Sequence, residues 1–385
     1  PPFGVEPRSA EAIEWAATYG MFHWGPTGWA FYCLPTVAIG HAYYVRRQPH
    51  MRVSSACHAV LGRRTDGVVG RLLDTLFIVG VLGAAGTSLG FGTPMIAAGL
   101  GRLFGVESSF GLQVGVVGLC AVLFSASVYL GLERGIQRLS FVNMVLTKTL
   151  LLFVLLSGPT VFILKMAANS AGLMISQFLR MNTWTDPLTE SRFIEDWTVF
   201  YWAWWVSWAP FVGMFIARVS KGRTVREFII CVLLIPSLII FVWMGVFGGI
   251  AIDQILTSPE TSLVKANVID SYSPELSLFG MLNELPFTKT ASTIAIVLAL
   301  VFFVTSSDSG SLVVDTITAG GKIDAPVPQR IFWCVVEGLI AIVLLIGGGL
   351  SALQAGVTAT GVPFSILMLV MCYTIYKGLR SEPRG

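Results

Sequence analysis

The stretch FIICVLLIPSLIIF at residues 228–241 is apolar on all sides, and LLFVLLS at 151–157 has the same character. The 385-residue chain is 54% hydrophobic and only 12% charged, with a mean hydropathy of +0.74. Such a chain is too apolar to keep the surface of a soluble domain wetted. Strands of a membrane barrel would be shorter and would alternate apolar with polar residues. The sequence therefore predicts an all-α integral membrane protein.

Nine apolar segments are long enough to cross a bilayer, which requires about 20 mostly apolar residues per helix. They are residues 27–46, 72–92, 111–130, 141–164, 198–217, 227–252, 288–308, 329–347 and 352–376. The sequence therefore predicts nine transmembrane helices. Because this number is odd, the two ends of the chain are predicted on opposite sides of the membrane.

Most Lys and Arg residues fall on one side of this topology, and the loop at 46–71 alone carries six arginines. Short basic loops stay on the cytoplasmic side of a cell membrane. We therefore expect a protein of the cell (inner) membrane with a cytoplasmic C-terminus and external first residues. Among the external connections, 165–197 is long, and its segment 168–181 has the pattern of a helix lying in the membrane interface.

The cysteines and histidines show no metal-ligand pattern. Five of the six cysteines fall in apolar segments, and Cys57 falls in the predicted cytoplasmic loop, where thiols stay reduced. The four histidines are not spaced as ligands with cysteines or carboxylates. We expect no cofactor, no metal centre and no nucleic-acid partner. An enzyme is disfavoured because Ser306, Ser307 and Asp308 have no histidine in their span.

The segment DWTVFYWAWWVSWAP at 196–210 holds five tryptophans and one tyrosine. At about 100° per residue, four of these rings share one face of a helix. They are Trp204, Trp208, Tyr201 and Trp205. Trp202 points elsewhere, and Trp197 stands at the outer edge, where an aromatic belt is expected. Trp204 to Trp208 lie roughly 9 to 15 Å inside the span, which is too deep for such a belt.

A second aromatic group, FHWGPTGWAFY at 22–32, opens the first predicted span. By the same arithmetic Trp24, Trp29 and Tyr32 lie within an arc of about 140°. Two such faces can form a box for a quaternary ammonium ion, which has no N–H to donate and is attracted by ring faces. Core packing is the alternative. A buried carboxylate could also hold a cation, but Asp308 and Glu337 do not neighbour the tryptophans in sequence.

Residues Trp197 to Trp205 match the pattern Trp-Thr-aliphatic-X-aromatic-Trp-X-Trp-Trp of the betaine/carnitine/choline transporter family. The resemblance continues through FVGMFIARVSKGRTVREF at 211–228 and MFHWG at 21–25, and it covers effectively the whole chain. It implies a leucine-transporter-like fold, in which ten core helices form two inverted repeats of five. Carriers of this architecture bind their substrates near the bilayer midplane.

The resemblance also implies a division of the chain. The expected parts are the last four helices of repeat one at 1–164, the external loop with its interfacial helix at 165–197, the five helices of repeat two at 198–376, and a short cytoplasmic tail at 377–385. Three further helices, including the first core helix, are then expected upstream of residue 1.

The resemblance assigns roles to individual residues. The central aromatic box would be Trp204, Trp205 and Trp208, with Tyr201 on the same face. The neighbouring aromatic site would be Trp24, Trp29 and Tyr32, with Trp202 as a gate just outside the box. A sodium ion would bind the hydroxyls of Thr305 and Ser306, and Thr87 and Phe211 resemble positions for a second sodium ion.

The implied function is secondary active transport of a quaternary-ammonium or sulfonium solute such as glycine betaine, choline or carnitine. Sodium symport is favoured, because Asn143 occupies the position at which sodium-independent exchangers of the family carry an arginine. Sodium-independent exchange and an amino-acid carrier on the same fold are the alternatives. The expected partners are the small solute and the lipid bilayer, and a homotrimer is common in the family.

Overall fold

The computed structural model describes residues 1–131, 137–189, 191–322 and 326–382. Helices joined by short loops make up this part of the chain, and it contains no β-strand. The predicted all-α membrane class is therefore confirmed. Residues 383–385 of the predicted tail lie outside the described residues.

The α-helices of the described chain are numbered α1 to α14. Their bounds are Ala10–Trp24, Pro26–Gly40, Val53–Ala56, His58–Leu61, Val68–Phe104, Phe110–Gly131, Gln137–Ser157, Thr160–Ser176, Phe178–Thr183, Phe200–Val219, Val225–Thr257, Ser277–Asn283, Thr288–Thr318 and Val327–Arg380. A π-helical turn at His41–Val45 extends α2, and another at Ile194–Val199 leads into α10.

Eight segments of the described residues are long and apolar enough to cross a membrane. They are Val68–Phe104, Phe110–Ser127, Gln137–Ser157, Ile194–Val219, Val225–Thr257, Thr288–Thr318, Val327–Gly347 and Thr358–Arg380. The remaining predicted span, 27–46, is filled by α2 and the π-helical turn after it, which together run from Pro26 to Val45. This region is therefore helical, although α2 alone has only 15 residues.

The last two predicted spans lie in one element, α14, which covers 54 residues. A straight helix of this length would measure about 81 Å, against a bilayer core of about 30 Å. Both apolar segments of α14 nevertheless pack against the same part of α5. A Cβ atom on Gly86 would lie 2.6 Å from Ile340, and one on Gly83 would lie 3.8 Å from Thr360. The chain therefore folds back between the two apolar segments of α14.

The predicted span 141–164 consists of two helices. Helix α7 ends at Ser157 and α8 begins at Thr160, with Gly158 and Pro159 between them. A proline lacks the N–H for a helical hydrogen bond and disfavours helix at the preceding residue, so the helix is interrupted even though the apolar pattern continues.

The segment 168–181, predicted to lie in the interface, belongs to α8 and α9. Its apolar side chains Met174 and Met181 are buried together with Trp15 and Phe22 of α1. The apolar face of this segment therefore packs against protein. On its other side, α8 packs along α11.

Helices α5 and α13 run antiparallel through the centre of the molecule. A Cβ atom on Gly92 of α5 would lie 1.9 Å from the ring of Phe303, and one on Gly310 of α13 would lie 3.8 Å from Ala85. Two apolar cores meet along this pair, one with α2, α10 and the end of α14, the other with α6, α7 and α11.

The Arg-rich loop between α2 and α5 is packed tightly against the helical core. Asp74 of α5 accepts hydrogen bonds from the backbone N–H of Ser54 at 3.0 Å and from its hydroxyl at 2.8 Å. Arg52 lies 3.7 Å from the same carboxylate. Cys57 in this loop has no exposed surface. Burial, and secondarily the charge of Asp74, raises the pKa of the Cys57 thiol to about 12.

Cys57 is therefore expected to resist thiol reagents. Only the thiolate reacts, and at pH 8 a thiol with this pKa is ionised to about one part in ten thousand, against about one quarter for a free cysteine. Maleimide labelling of the purified full-length protein should leave Cys57 unmodified, whereas the variant Asp66→Cys, at an exposed position of the same loop, should be labelled. Labelling of both thiols at similar rates would show that the loop is open.

Candidate functional site

Helices α2 and α10 run in the same direction and cross closely. A Cβ atom on Gly28 of α2 would lie 2.4 Å from the indole of Trp205, and one on Gly213 of α10 would lie 2.5 Å from the ring of Pro35. Real side chains do not approach so closely, so the two glycines allow each ring to lie against the backbone of the neighbouring helix. This crossing brings the two aromatic segments together.

Trp205 lies at the centre of the ring contacts that result. It is 3% exposed. Its ring lies 5.7 Å from Trp24, 5.4 Å from Trp29 and 4.8 Å from Tyr32, measured between centroids. The interplanar angles are 66°, 65° and 50°, close to the edge-to-face geometry that aromatic rings favour. These four residues and Tyr201 are called the aromatic cluster below.

His23, at the end of α1, holds two members of the aromatic cluster. The indole N–H of Trp205 donates to the backbone carbonyl of His23 at 2.9 Å. The His23 ring stacks on Tyr201 at 4.8 Å, and its Nε2 lies 3.0 Å from the hydroxyl of Thr198. Tyr201 also contacts Trp24 at 5.7 Å. The orientation of Trp205 is therefore fixed by a hydrogen bond as well as by packing.

The four rings predicted on one face of α10 divide into two pairs. Tyr201 and Trp205 join the aromatic cluster, whereas Trp204 contacts Phe200 at 5.8 Å and Trp208 contacts Phe211 at 5.1 Å. Phe200 and Phe211 both belong to α10, so these two contacts are made within one helix. All four rings nevertheless pack into one apolar core.

The predicted arc of Trp24, Trp29 and Tyr32 assumed one continuous helix from Phe22 to Tyr32. This assumption was wrong. Gly25 adopts φ −92° and ψ −149°, so α1 ends at Trp24 and α2 starts at Pro26. A proline at the first helical position favours this break, since its missing N–H costs nothing there. Trp24, the last residue of α1, nevertheless contacts both Tyr201 and Trp205 of α10.

The other two tryptophans of the motif lie outside the aromatic cluster. Trp202, predicted as a gate, packs between α1 and α2 and contacts Phe22 at 5.3 Å and Phe31 at 5.7 Å. Trp197, predicted in an interfacial belt, is 46% exposed. Both positions differ from that of Trp205, which is enclosed.

The ring neighbours of the aromatic cluster are aromatic side chains and His23, and the ion pairs of the described residues lie elsewhere. The carboxylates Asp308 and Glu337 lie instead at the contact of α13 with α14. Among the described residues, the indole N–H of Trp29 is buried without a partner, which leaves one donor free in the cluster.

This arrangement can attract a cation without hydrogen bonds. Ring faces carry negative potential, and a desolvated cation–π contact contributes about 2 kcal/mol. The rings of the cluster touch one another in this conformation, so a ligand among them requires Trp205 or its neighbours to move apart. Such a change is in keeping with carriers that alternate between conformations.

The residues predicted to bind sodium lie on three helices that contact one another, α5, α10 and α13. Thr87 is buried and lies in the part of α5 that faces residues 303–310 of α13. Phe211 is buried on α10. Thr305 and Ser306 are half-buried, and the Thr305 hydroxyl donates to the carbonyl of Phe302 at 3.0 Å. The hydroxyl oxygen keeps lone pairs for a hard cation.

Three residues of the site were absent from the sequence prediction. His23 and Thr198 form the hydrogen bond next to Tyr201, and Gly28 makes room for Trp205. A glycine one residue before Trp29, in a helix rich in rings, was the available signal for a close approach. No pattern in the sequence pairs His23 with Thr198, since 175 residues separate them.

The fold and the site define a multi-pass helical membrane protein whose two aromatic segments meet in its interior. Comparison with known protein families shows that the protein is a transporter. The family model described as BCCT, betaine/carnitine/choline family transporter, matches residues 1–384. The chain therefore belongs to the betaine/carnitine/choline transporter family, a family of transporters and not of enzymes.

Individual proteins with similar sequences are also transporters. A glycine betaine/proline/choline transporter of Vibrio parahaemolyticus is 44% identical over 376 residues, which cover 98% of this chain and 66% of the relative. A glycine betaine transporter of Bacillus subtilis is 37% identical over 382 residues, 98% of this chain and 73% of the relative. The chain thus spans about two thirds of the length of the relatives it matches.

Proposed function

We propose that the whole protein carries out secondary active transport of a quaternary-ammonium solute of the glycine betaine or choline class. The observation that carries this proposal is the burial of Trp205 among Trp24, Trp29 and Tyr32. The similar transporters of Vibrio parahaemolyticus and Bacillus subtilis bear the names of glycine betaine, and the former also those of choline and proline. Carnitine and sulfonium analogues present the same kind of methylated cation.

The chemistry of the cation selects the site. A trimethylammonium group donates no hydrogen bond, so a carboxylate-and-amide site of the kind that suits an amino acid gives it little advantage. The five indole and phenol rings of the aromatic cluster supply both a negative electrostatic potential and apolar contact for such a group. Trp204 and Trp208 form the second half of the aromatic box. The rings of Trp24 and Trp29 would join this half when the carrier changes conformation.

The polar end of the solute needs a donor. The buried, unpartnered indole N–H of Trp29 is a donor within the aromatic cluster. A buried donor without a partner costs about 1 to 3 kcal/mol, which a carboxylate or hydroxyl of the solute would recover. We assign this contact to Trp29.

The proposed topology follows the predicted one. The Arg-rich loop before α5 and the end of α14 lie together, and we place this side in the cytoplasm of a cell whose plasma (inner) membrane holds the protein. Residues 1–164 and 198–376 are assigned to the two inverted repeats, with 165–197 linking them outside and 377–385 as the tail. A homotrimer is the proposed assembly, on the family resemblance alone.

Sodium is the proposed coupling ion. The hydroxyls of Thr305 and Ser306 on α13 supply the oxygen ligands, and Thr87 and Phe211 border a second position. Support comes from the close packing of α5 on α13, which places Thr87 in the stretch that faces residues 303–310. Sodium-independent exchange is the alternative, and Asn143 in place of an arginine disfavours it.

Uptake by proteoliposomes that contain the full-length protein tests the function. Labelled glycine betaine, choline and carnitine are compared with proline, each with and without an inward sodium gradient. We expect uptake of at least one quaternary-ammonium solute, driven by the gradient. Flat uptake of all three would refute the function, and uptake of proline alone would favour the amino-acid carrier.

Thr305→Ala tests the sodium assignment. Loss of one oxygen ligand is expected to raise the sodium concentration for half-maximal uptake about 10- to 100-fold, because a contact with a charged group contributes about 1.5 to 3 kcal/mol. Thr293→Ala is the matched control, since Thr293 lies on the same helix and its hydroxyl also donates to a backbone carbonyl, that of Lys289. The same sodium dependence in both variants would contradict the assignment.

A further inference from the structure

Two buried carboxylates have no part in the proposed substrate or sodium sites. Asp308 of α13 is 0% exposed, and Glu337 of α14 is 1% exposed. Ser311, one turn after Asp308 on the same helix, donates a hydrogen bond to Oε1 of Glu337 at 3.2 Å, which places Asp308 one helical turn from this contact. Ionisable residues inside a membrane protein are rare and mark ion paths or binding sites more often than packing.

Several carboxylate oxygen atoms at this place lack a hydrogen bond of normal geometry. They are Oδ1 and Oδ2 of Asp308 and Oε2 of Glu337. Ser127 of α6 is 3% exposed, and its hydroxyl faces Asp308, to which it can donate a weak hydrogen bond. Buried polar atoms in native proteins almost always have a partner. The three carboxylate oxygen atoms therefore indicate a bound species that accepts their lone pairs.

The two carboxylates are not balanced by a cation within the described residues. The ion pair on α13 belongs to Asp315, two turns further along, which holds Arg330 at 3.0 Å. On α7, Arg138 and Lys148 are exposed. Two buried carboxylates without a partner are strongly unfavourable as negative charges in a medium of low dielectric constant, so they take up protons or bind a cation. The occupant is therefore expected to carry positive charge.

The ligand atoms select the kind of cation. In the described part of the chain, no group of three or more His, Cys, Asp or Glu side chains is arranged to hold a metal ion. Transition metals prefer nitrogen and sulfur ligands, whereas hard cations take oxygen. Gly310 faces Glu337, and a Cβ atom there would lie 3.4 Å from Oε1, so the glycine leaves this side of the carboxylate open.

We propose that Asp308, Glu337, Ser127 and Ser311 bind one sodium ion between α6, α13 and α14. Side-chain oxygens alone form this site, because α13 is a continuous helix from Thr288 to Thr318 and its carbonyls are engaged in helical hydrogen bonds. The site does not depend on the quaternary-ammonium cargo, and its ligands are different from the hydroxyls of Thr305 and Ser306.

Equilibrium binding of radioactive sodium to the purified full-length protein tests the site. The measurement is made without any transported solute, with N-methylglucamine to hold the ionic strength constant. Glu337→Gln keeps the shape of the side chain and removes its charge, and it is expected to weaken the binding of one sodium ion at least tenfold. Ser127→Ala removes a single oxygen and is expected to weaken it severalfold. Thr305→Ala should leave this ion in place.

Asp270→Asn is the matched control, because it removes an exposed carboxylate that pairs with Lys265 at 2.9 Å. It should bind sodium as the unaltered protein does. If Glu337→Gln does not fold, Ser127→Ala carries the test, since the loss of one hydroxyl is mild. Equal sodium binding by the unaltered protein, Glu337→Gln and Ser127→Ala would overturn the proposal. So would a difference that appears only as altered proton uptake, which would make the occupant a proton.

Discussion

Uptake of glycine betaine is expected to fall about 30-fold or more when Trp205 is replaced by leucine. Trp205, in the aromatic segment of α10, contacts three rings of the other aromatic segment. Loss of one desolvated cation–π contact of about 2 kcal/mol corresponds to this factor. Transport of labelled substrate by proteoliposomes, at several concentrations, measures it as a rise in the half-saturation constant.

Two variants control for packing in this experiment. Trp205→Phe keeps an aromatic face and loses the hydrogen bond to the carbonyl of His23, and it should retain more activity than leucine. Trp243→Leu removes an indole from α11, where it stacks on Phe247 at 4.2 Å, away from the aromatic cluster. If Trp243→Leu lowers uptake as much as Trp205→Leu, the effect reflects general destabilisation and the assignment of Trp205 fails.

Gly28→Ala is expected to reduce uptake about ten- to hundredfold. The added methyl group would lie 2.4 Å from the indole of Trp205, so the ring or the helix must move. Overpacking of this kind costs about 1 to 3 kcal/mol, here at the centre of the site. Uptake and binding of glycine betaine by the same protein preparation measure the loss.

Gly40→Ala is the matched control for Gly28→Ala. Gly40 ends the same helix, and no atom lies within 4 Å of a Cβ placed there. This variant should transport normally, since alanine favours helix over glycine by up to about 1 kcal/mol. Normal uptake by Gly28→Ala would show that the position of Trp205 against α2 does not matter for transport, and it would contradict the role assigned to Trp205.

Much of the fold follows from hydropathy alone. Segments such as 228–241 are apolar all round, and nothing but a membrane or a large core can accommodate them. The places where hydropathy failed are local backbone breaks. Gly25 and Gly158, each followed by proline, end helices within stretches that remain apolar, and a window average does not detect one residue. Conversely, the fold-back within α14 was expected from its two apolar segments.

The aromatic segments of the site could be predicted, but not which of their rings meet. Motif density and depth singled out both segments, and Trp205, Tyr201, Trp24, Trp29 and Tyr32 do come together. Angles along one helix show which rings share a face, but not which neighbouring helix that face contacts. Trp204 and Trp208 contact Phe200 and Phe211 of their own helix, whereas Trp205 contacts rings of α1 and α2. The bond from Trp205 to the carbonyl of His23 depends on the break at Gly25, which the angular arithmetic ignored.

Competition for glycine betaine binding distinguishes recognition of the positive charge from recognition of the shape. The competitor is 3,3-dimethylbutyrate, in which a carbon atom replaces the quaternary nitrogen while shape and carboxylate are kept. The full-length protein should prefer the cation about 30-fold, and Trp205→Leu should lose most of that preference. Equal binding of the cation and its neutral-headed analogue by the unaltered protein would contradict recognition of a methylated cation by the aromatic cluster.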